Sequence, residues 1–197
     1  MKLLLKSDFY NEIFGLLVWL EALGICCILL VAIFLQYYLH ELPCPLCSLQ
    51  RIGLLLIATT LFFNLRAKRK IVHYMMTNLA ALLTATIALR QILLHINDPI
   101  GQGYGDILFG YHLYTWVFII AVLIIVYNSF ISCFFVQFSY KSLYYQGKVG
   151  KYLVSILLYL LILVAIVNAI GVYLECGLAQ CPDNPDTYKI FTLIHKN

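Results

Sequence analysis

Charged residues are scarce in this chain of 197 residues, since Asp, Glu, Lys and Arg together account for 11% of it. Soluble domains carry about 25% charged and about 45–50% apolar residues. Here the hydrophobic residues reach 63%, and the mean hydropathy is +0.91. Proline is rare as well, with five residues, and we detect no low-complexity tract or internal repeat. These scarcities exclude an ordinary soluble domain, a disordered chain and a collagen-like chain, and they predict a polytopic membrane protein.

An excess of acidic residues is also missing, because the formal net charge is +4. A basic excess can indicate nucleic-acid binding, but in a membrane chain Lys and Arg concentrate in the cytoplasmic connections. We therefore expect membrane lipid, and no nucleic acid, among the partners of this protein.

Five long apolar stretches divide the chain, and a helix that crosses a bilayer needs about 20 such residues. We predict spans at about residues 13–39, 47–65, 71–94, 113–138 and 152–174, followed by a polar tail at 175–197. The second span is long enough only if it begins near Cys47 and includes Arg51 close to the membrane surface. The sequence thus predicts a single membrane domain over residues 1–197, an all-α polytopic helix bundle.

The basic residues predict how these spans are oriented. Most of the 13 Lys and Arg residues fall in the N-terminus, the second connection and the fourth connection, with the densest run from Arg66 to Lys70. The first and third connections and the tail carry mostly acidic residues. By the positive-inside rule, the N-terminus is cytoplasmic and the tail lies on the outer face.

Glu21 is a carboxylate within the first predicted span, where an unpaired charge is costly. Its depth on the cytoplasmic side separates it from the outer-face cysteines described below. We expect Glu21 to form a hydrogen bond with a neighbouring helix.

The seven cysteines fall into two groups under this topology. Three lie within predicted spans and are expected to be inert thiols: Cys26, Cys27 and Cys133. The others form two close-spaced pairs on the outer face, Cys44 with Cys47 and Cys176 with Cys181. Cysteines that face an oxidising compartment are expected to form disulfides.

Cys44 and Cys47 have the Cys-x-x-Cys spacing that proteins use for thiol–disulfide exchange. If the second span begins near Cys47, its sulfur lies at a helix N-terminus, where the helix dipole favours the thiolate. Arg51 follows four residues later on the same helix face, and its positive charge stabilises a thiolate further. The alternative is a static disulfide staple with Arg51 as an interfacial anchor.

The second pair begins two residues after the predicted end of the fifth span. Both pairs are therefore expected at a similar depth, just outside the apolar slab, where they could exchange disulfides. Alone, Cys176 and Cys181 suggest a structural bridge that closes a small loop. The Cys-x-x-Cys pair on the same face instead favours a relay between the two.

These residues together resemble the DsbB-type disulfide bond formation proteins, membrane quinone reductases that reoxidise a soluble thioredoxin-fold thiol oxidant. The resemblance covers about the first 95 residues. It rests on Gln36-x7-Cys44-Pro-Leu-Cys47-x-x-Gln50-Arg51 and, in the third predicted span, Ala88-Leu89-Arg90-Gln91.

The resemblance implies a role for each matching residue. Cys44 exchanges with the second cysteine pair, Cys47 faces the quinone, and Arg51 contacts the quinone. Gln36 and Arg90 match positions near the quinone pocket. The implied cofactor is ubiquinone or menaquinone, and the implied partner is a DsbA-like periplasmic thiol oxidant. The implied location is a bacterial inner membrane, with both cysteine pairs on the periplasmic face.

The chain departs from the better-known members of this family in two ways. Those members have four spans and carry the second cysteine pair between spans three and four, whereas here a fifth span precedes Cys176 and Cys181. Cys176 and Cys181 are therefore matched to the second cysteine pair of the family by role and not by alignment. Some members also have a histidine near the quinone after span three; His95 is our candidate for it, ahead of His112.

Three other interpretations remain open at this point. Two cysteine pairs can supply a four-thiolate structural zinc site, although an oxidising face tends to convert such thiols to disulfides. A membrane scaffold with two disulfide staples would have no turnover. Enzymes that resemble vitamin K epoxide reductase also couple a Cys-x-x-Cys pair to a quinone, but their active pair comes late in the chain. We favour the quinone-linked oxidase, built on a four-helix DsbB-like core with a fifth transmembrane helix.

Overall fold

The computed structural model describes residues 2–38, 42–97, 107–134 and 147–177, together with positions 103, 105, 138, 181, 188 and 189. Side chains are described from residue 12 onward. This part of the chain contains α1 (Lys2–Tyr38), α2 (Pro45–Arg66), α3 (Ile71–Leu94), α4 (Leu113–Ser132) and α5 (Lys148–Cys176). A two-stranded antiparallel hairpin, β1 (Ile107–Leu108) and β2 (Tyr111–His112), precedes α4.

Each helix holds a stretch that is long and apolar enough to cross a membrane: Glu12–Tyr38, Pro45–Arg66, Ile71–Leu94, Leu113–Ser132 and Lys148–Cys176. The prediction of an all-α polytopic bundle with a fifth span is therefore confirmed. The bounds differ mainly in the fourth span, where α4 ends at Ser132 and not near residue 138. Hydropathy measures apolar character and not helix ends, so the apolar residues beyond Ser132 extended the prediction too far. For the same reason the predicted fifth span, which begins at residue 152, leaves out the polar first turn of α5.

The first four helices alternate in direction, and α5 runs parallel to α1. Trp19 of α1 donates a hydrogen bond to the carbonyl of Leu153 near the start of α5 (3.1 Å). Near the other end of the two helices, Gly171 of α5 lies against Gln36 of α1. Consequently the end of α5 and the start of α2 lie at the same end of the bundle.

A buried apolar core joins all five helices, with Leu29, Leu61, Ala81, Ile124 and Leu157 among its members. The outward faces carry many exposed apolar side chains, as expected where lipid replaces water as the solvent.

Small and hydroxyl-bearing residues bring α2 and α3 close together. Gly53 of α2 lies against the side chain of Thr84, so that a Cβ atom there would collide with it. Further along, Thr77 donates a hydrogen bond to Thr60 (3.0 Å). Such contacts are typical of helix pairs in membranes, where close packing and interhelical hydrogen bonds drive association.

Glu21 lies on the inner side of α1 and receives a hydrogen bond from the Asn128 amide of α4 (2.6 Å). The expected hydrogen bond to a neighbouring helix is thus present. It satisfies one carboxylate oxygen of a residue that would otherwise be costly in the bundle.

Candidate functional site

The Cys44–Cys47 disulfide lies at the N-terminus of α2. Cys44 is the N-cap residue, and its sulfur accepts a hydrogen bond from the backbone N–H of Cys47 (3.0 Å). This bond occupies a donor that has no partner within the helix, while Pro45 has no N–H to satisfy. The helix therefore begins two residues before the predicted start, and Cys47 lies in its first turn, where the helix dipole favours a thiolate.

Gln91 of α3 contacts both sulfurs of this disulfide. Its Nε2 lies 3.3 Å from Cys44 Sγ and 3.5 Å from Cys47 Sγ. Its Oε1 accepts a hydrogen bond from Gln50 Nε2 (2.7 Å). Both glutamines are buried, with 1% of Gln91 and 3% of Gln50 exposed.

Gln50 and Gln91 belong to the motifs that carry the resemblance, but the sequence alone assigned neither of them a role. A signal was available, because an amide within an apolar span is costly unless it is paired. Two such amides in neighbouring spans therefore suggest that they bind each other or a polar site between them.

Arg51 is anchored to α1 by two hydrogen bonds. Its Nη1 donates to Gln36 Oε1, and its Nη2 donates to the carbonyl of Ala32 (3.1 Å). Gln36 is buried, and its Nε2 has no hydrogen-bond partner within the described part of the chain. The structure thus brings two of the predicted site residues, Arg51 and Gln36, into direct contact.

A cavity of about 400 Å³ opens beside this end of α2. Its polar wall includes Cys47, Gln50 and Arg51. The remaining wall is largely apolar and comes from α1, the segment before α2, the hairpin and the start of α4, with Val31, Leu42, Leu108 and Trp116 as examples. Trp116 is held there by a hydrogen bond from its Nε1 to the Leu108 carbonyl (2.8 Å). The site is therefore an apolar chamber with a sulfur and a guanidinium on one wall.

His95 and Arg90 lie outside the set of residues that line this cavity. The ring of His95 stacks on Tyr114, with 5.8 Å between the centroids, and Tyr114 does line the cavity. The side chain of Arg90 is exposed, whereas its neighbour Gln91 faces the disulfide. His95 thus approaches the cavity through Tyr114, and Arg90 presents its side chain on another face of α3.

The second disulfide joins Cys176, the last residue of α5, to Cys181. Gly177 follows with a φ of 64°, a conformation that suits glycine and allows the chain to turn at the helix end. Glu175, which is buried, precedes the disulfide and lies within electrostatic reach of Arg51. The end of α5 therefore borders the region in which Arg51 is held.

The four paired cysteines have their sulfurs bonded to each other, and so none of them is a thiolate ligand in this state. Among the described residues, no cluster of three or more His, Cys, Asp or Glu side chains is arranged to hold a metal ion. The other cysteines are free thiols: Cys26 is buried, and Cys27 and Cys133 are exposed. Cys27 lines the cavity.

Comparison with known proteins gives a match over the first half of the chain. Residues 15–100 match the family model "Disulfide bond formation protein DsbB". Disulfide bond formation protein B 1 of Pseudomonas fluorescens strain Pf0-1 is 41% identical over 101 residues, which cover 49% of this chain and 48% of that relative. The protein of the same name from strain Pf-5 is 52% identical over 48 residues, 23% of this chain and 28% of the relative. No solved structure matches the chain significantly.

These matches confirm the resemblance that the motif predicted, over a segment that contains Cys44, Cys47 and Arg51. The chain spans about half the length of the first of these relatives and less of the second. Both α5 and the Cys176–Cys181 disulfide lie beyond the matched segment.

Proposed function

We propose, from the premise that residues 15–100 form a DsbB-family segment, that this multi-pass membrane protein is a quinone-dependent oxidoreductase. It reoxidises a soluble, DsbA-like thioredoxin-fold thiol oxidant and so supports disulfide bond formation. The observation that carries the proposal is the position of Cys47. Its sulfur belongs to a Cys-x-x-Cys disulfide at a helix N-terminus and lines an apolar cavity together with Arg51.

The cavity fits a quinone in volume and in chemistry. Ligand pockets commonly measure about 300–1,000 Å³ and combine apolar walls with a few polar groups. A quinone ring is apolar with carbonyl acceptors, and Arg51 supplies N–H donors on the wall that also holds Cys47. A bound quinone would accept the two electrons and two protons that are released when the Cys44 and Cys47 dithiol closes to a disulfide. Ubiquinone and menaquinone both meet this description.

Electrons enter through the second cysteine pair. A thiolate of the reduced partner attacks one sulfur of the Cys176–Cys181 disulfide, and a second partner thiol then releases the oxidised partner. The reduced pair next supplies a thiolate that attacks Cys44 Sγ, so that the bond to Cys47 breaks and Cys47 leaves with the electron pair. The other thiol of the second pair then attacks the sulfur that is bonded to Cys44, which re-forms the Cys176–Cys181 disulfide, releases Cys44 and leaves the inner pair as the dithiol. Arg51 and the helix N-terminus favour Cys47 as the leaving thiolate.

The placement of the two disulfides supports this relay. Cys44 caps the N-terminus of α2 and Cys176 is the last residue of α5, and these two helix ends lie at the same end of the bundle. The second cysteine pair is carried by the end of α5, and α5 packs against α1 and α2, two of the helices that line the cavity. This end of the bundle is assigned to the periplasmic face of a bacterial inner membrane, as the distribution of Lys and Arg favours.

One observation favours the second candidate, a scaffold with two static disulfides. Cys44 is buried, with 6% of its surface exposed, so an incoming thiolate reaches it only if the surrounding segment moves. A structural disulfide requires no such movement, whereas an enzyme must expose Cys44 to the incoming thiolate.

Quinone reduction by the purified protein in detergent tests the proposal. Reduced thioredoxin-fold oxidant is added, and the quinone absorbance is followed for the wild type and for Cys47→Ala, with Cys133→Ala as the matched control. Turnover in the wild type and in Cys133→Ala, with none in Cys47→Ala, supports the enzyme. Cys176→Ser is expected to stop oxidation of the partner. An absence of turnover in the wild type with either quinone would favour the scaffold.

A further inference from the structure

The amide pair formed by Gln50 and Gln91 is a buried polar feature to which the proposed relay gives no role. Gln91 reaches across from α3 to the disulfide that begins α2, and Gln50 lies one turn into α2 from Cys47. Two buried, neutral amides are thus held beside the Cys44–Cys47 disulfide, at the same end of the bundle as the Arg51–Gln36 pair.

The hydrogen bond between the amides orients the Gln91 side chain, whose Nε2 is the atom nearer to the sulfurs, while its Oε1 lies 3.9 Å from Cys47 Sγ. Gln50 Nε2 donates to Gln91 Oε1 at 2.7 Å, so the oxygen of Gln91 is occupied on the side of α2. The NH₂ group of Gln91 therefore points at Cys44 Sγ and Cys47 Sγ, at 3.3 and 3.5 Å. A disulfide sulfur is a weak acceptor, and these N–H groups gain little from it.

We propose that Gln91 is a catalytic residue, the hydrogen-bond donor for the thiolate that forms when the Cys44–Cys47 bond opens, and that Gln50 is its positioning residue. The inference deepens the proposed function and rests on the inner pair being redox-active. Gln50 acts through Gln91, since it holds the amide in the orientation that presents N–H groups to sulfur.

The chemical step shows where this donor acts. When an incoming thiolate forms a bond to Cys44 Sγ, the Cys44–Cys47 bond breaks and its electron pair stays on Cys47. The new thiolate is a full negative charge beside a donor already in place, and hydrogen bonds to ionised groups are roughly twice as strong as neutral ones. Because the donor is uncharged, it adds no further charge to the site beside that of Arg51. Stabilising the reduced form makes the inner pair more oxidising.

The equilibrium constant for reducing the inner pair tests this role directly. We would measure it in the full chain carrying Cys176→Ser and Cys181→Ser, against a dithiothreitol redox buffer without quinone or partner, by counting alkylated thiols. Hydrogen bonds to charged groups are among the stronger ones in proteins, so Gln91→Leu should lower the constant by about tenfold or more. A tenfold change corresponds to about 30 mV. Gln91→Met, which keeps an unbranched side chain without a donor, should do the same.

The positioning role of Gln50 predicts a specific non-additivity. Gln50→Leu should lower the constant by less than Gln91→Leu, and the double variant should match Gln91→Leu alone, because Gln50 acts only through Gln91. Thr84→Val is the matched control, since Thr84 is a buried residue of α3 two turns away whose hydroxyl donates to the carbonyl of Ala80 in its own helix.

Reduction constants of Gln91→Leu and Gln91→Met that equal that of Thr84→Val would overturn the proposal. Additive effects of Gln50→Leu and Gln91→Leu would overturn the role of Gln50. Failure of the proposed function is distinguishable, because the redox measurement uses no quinone. A wild type that reduces no quinone, with the shift in Gln91→Leu intact, refutes the oxidase and supports the role of Gln91.

Discussion

Gln36 and Arg51 are joined across α1 and α2, because Gln36 Oε1 accepts a hydrogen bond from Arg51 Nη1. The other terminal nitrogen of Arg51 donates to the Ala32 carbonyl at 3.1 Å. These bonds fix the plane of the guanidinium at the cavity wall that also carries Cys47. A planar fork can make both bonds at once, which an ammonium cannot do in the same geometry. The cation of this site is thus held in place by the protein itself.

Arg51→Lys tests this arrangement, since it keeps the positive charge but loses the fork. We expect the apparent KM for quinone to rise about tenfold, equivalent to about 1.4 kcal/mol of binding, with kcat changed less. Steady-state kinetics with a soluble quinone analogue measure both. Arg66→Lys, at the opposite end of α2, is the control and should leave both constants unchanged. An unaltered KM in Arg51→Lys would remove Arg51 from the quinone site.

Gly171 of α5 predicts how the fifth helix affects this site. A Cβ atom at this position would lie 3.0 Å from Gln36 Nε2 and 3.1 Å from the Tyr37 hydroxyl. Gly171→Leu should therefore displace Gln36, release Arg51 and raise the quinone KM severalfold. Gly24→Leu on α1 is the matched control, because a Cβ atom there meets nothing within 4 Å. Equal kinetics in the two variants would mean that α5 does not act on the cavity through Gln36.

The Glu21–Asn128 hydrogen bond predicts a contribution to stability and not to catalysis. Asn128→Leu leaves a buried carboxylate without its donor, which should lower the free energy of unfolding by about 1–2 kcal/mol. Asn168→Leu is the control, because the Asn168 amide is also buried but donates to a carbonyl of its own helix (2.8 Å). Unfolding in mixed micelles, followed by circular dichroism, compares the two. Equal losses of stability would show that the bond to Glu21 contributes nothing.

The sequence predicted the five spans because each is a local property of some 20 consecutive residues. It also predicted that Arg51 shares a helix face with Cys47, since residues four apart do so, and both residues line the cavity. The partner of Glu21 was not predictable in the same way. Asn128 lies 107 residues away, and only the packing of α1 against α4 brings the two together.

Arg90 and Gln91 show a second limit of sequence reasoning. Neighbouring residues on a helix point about 100° apart, so a motif that contains both does not reveal which one faces the site. The rotation of α3 is set by its small and hydroxyl residues against α2, and this rotation directs Gln91 to the disulfide. The packing partners of α5 were equally hidden, because hydropathy marks a span without identifying its neighbours.

Cys27 allows occupancy of the cavity to be measured without turnover. The sequence predicts inert thiols at Cys27 and Cys133, but in the structure both are free and exposed: Cys27 lies on the cavity wall, and Cys133 lies at the end of α4 and does not line the cavity. Quinone at about ten times its Kd leaves roughly a tenth of the cavities empty, so alkylation of Cys27 by N-ethylmaleimide should slow about tenfold. Alkylation of Cys133 should keep its rate.

Mass spectrometry of the two peptides after timed quenching gives both rates in one sample. Slowing at both cysteines would indicate that quinone acts on the detergent micelle or on the reagent, and not in the cavity. Unchanged rates at both, in a protein that still reduces quinone, would place the quinone elsewhere on the bundle. Protection confined to Cys27 requires a ligand in the chamber that Cys47 and Arg51 share, because no other difference between the two thiols depends on quinone.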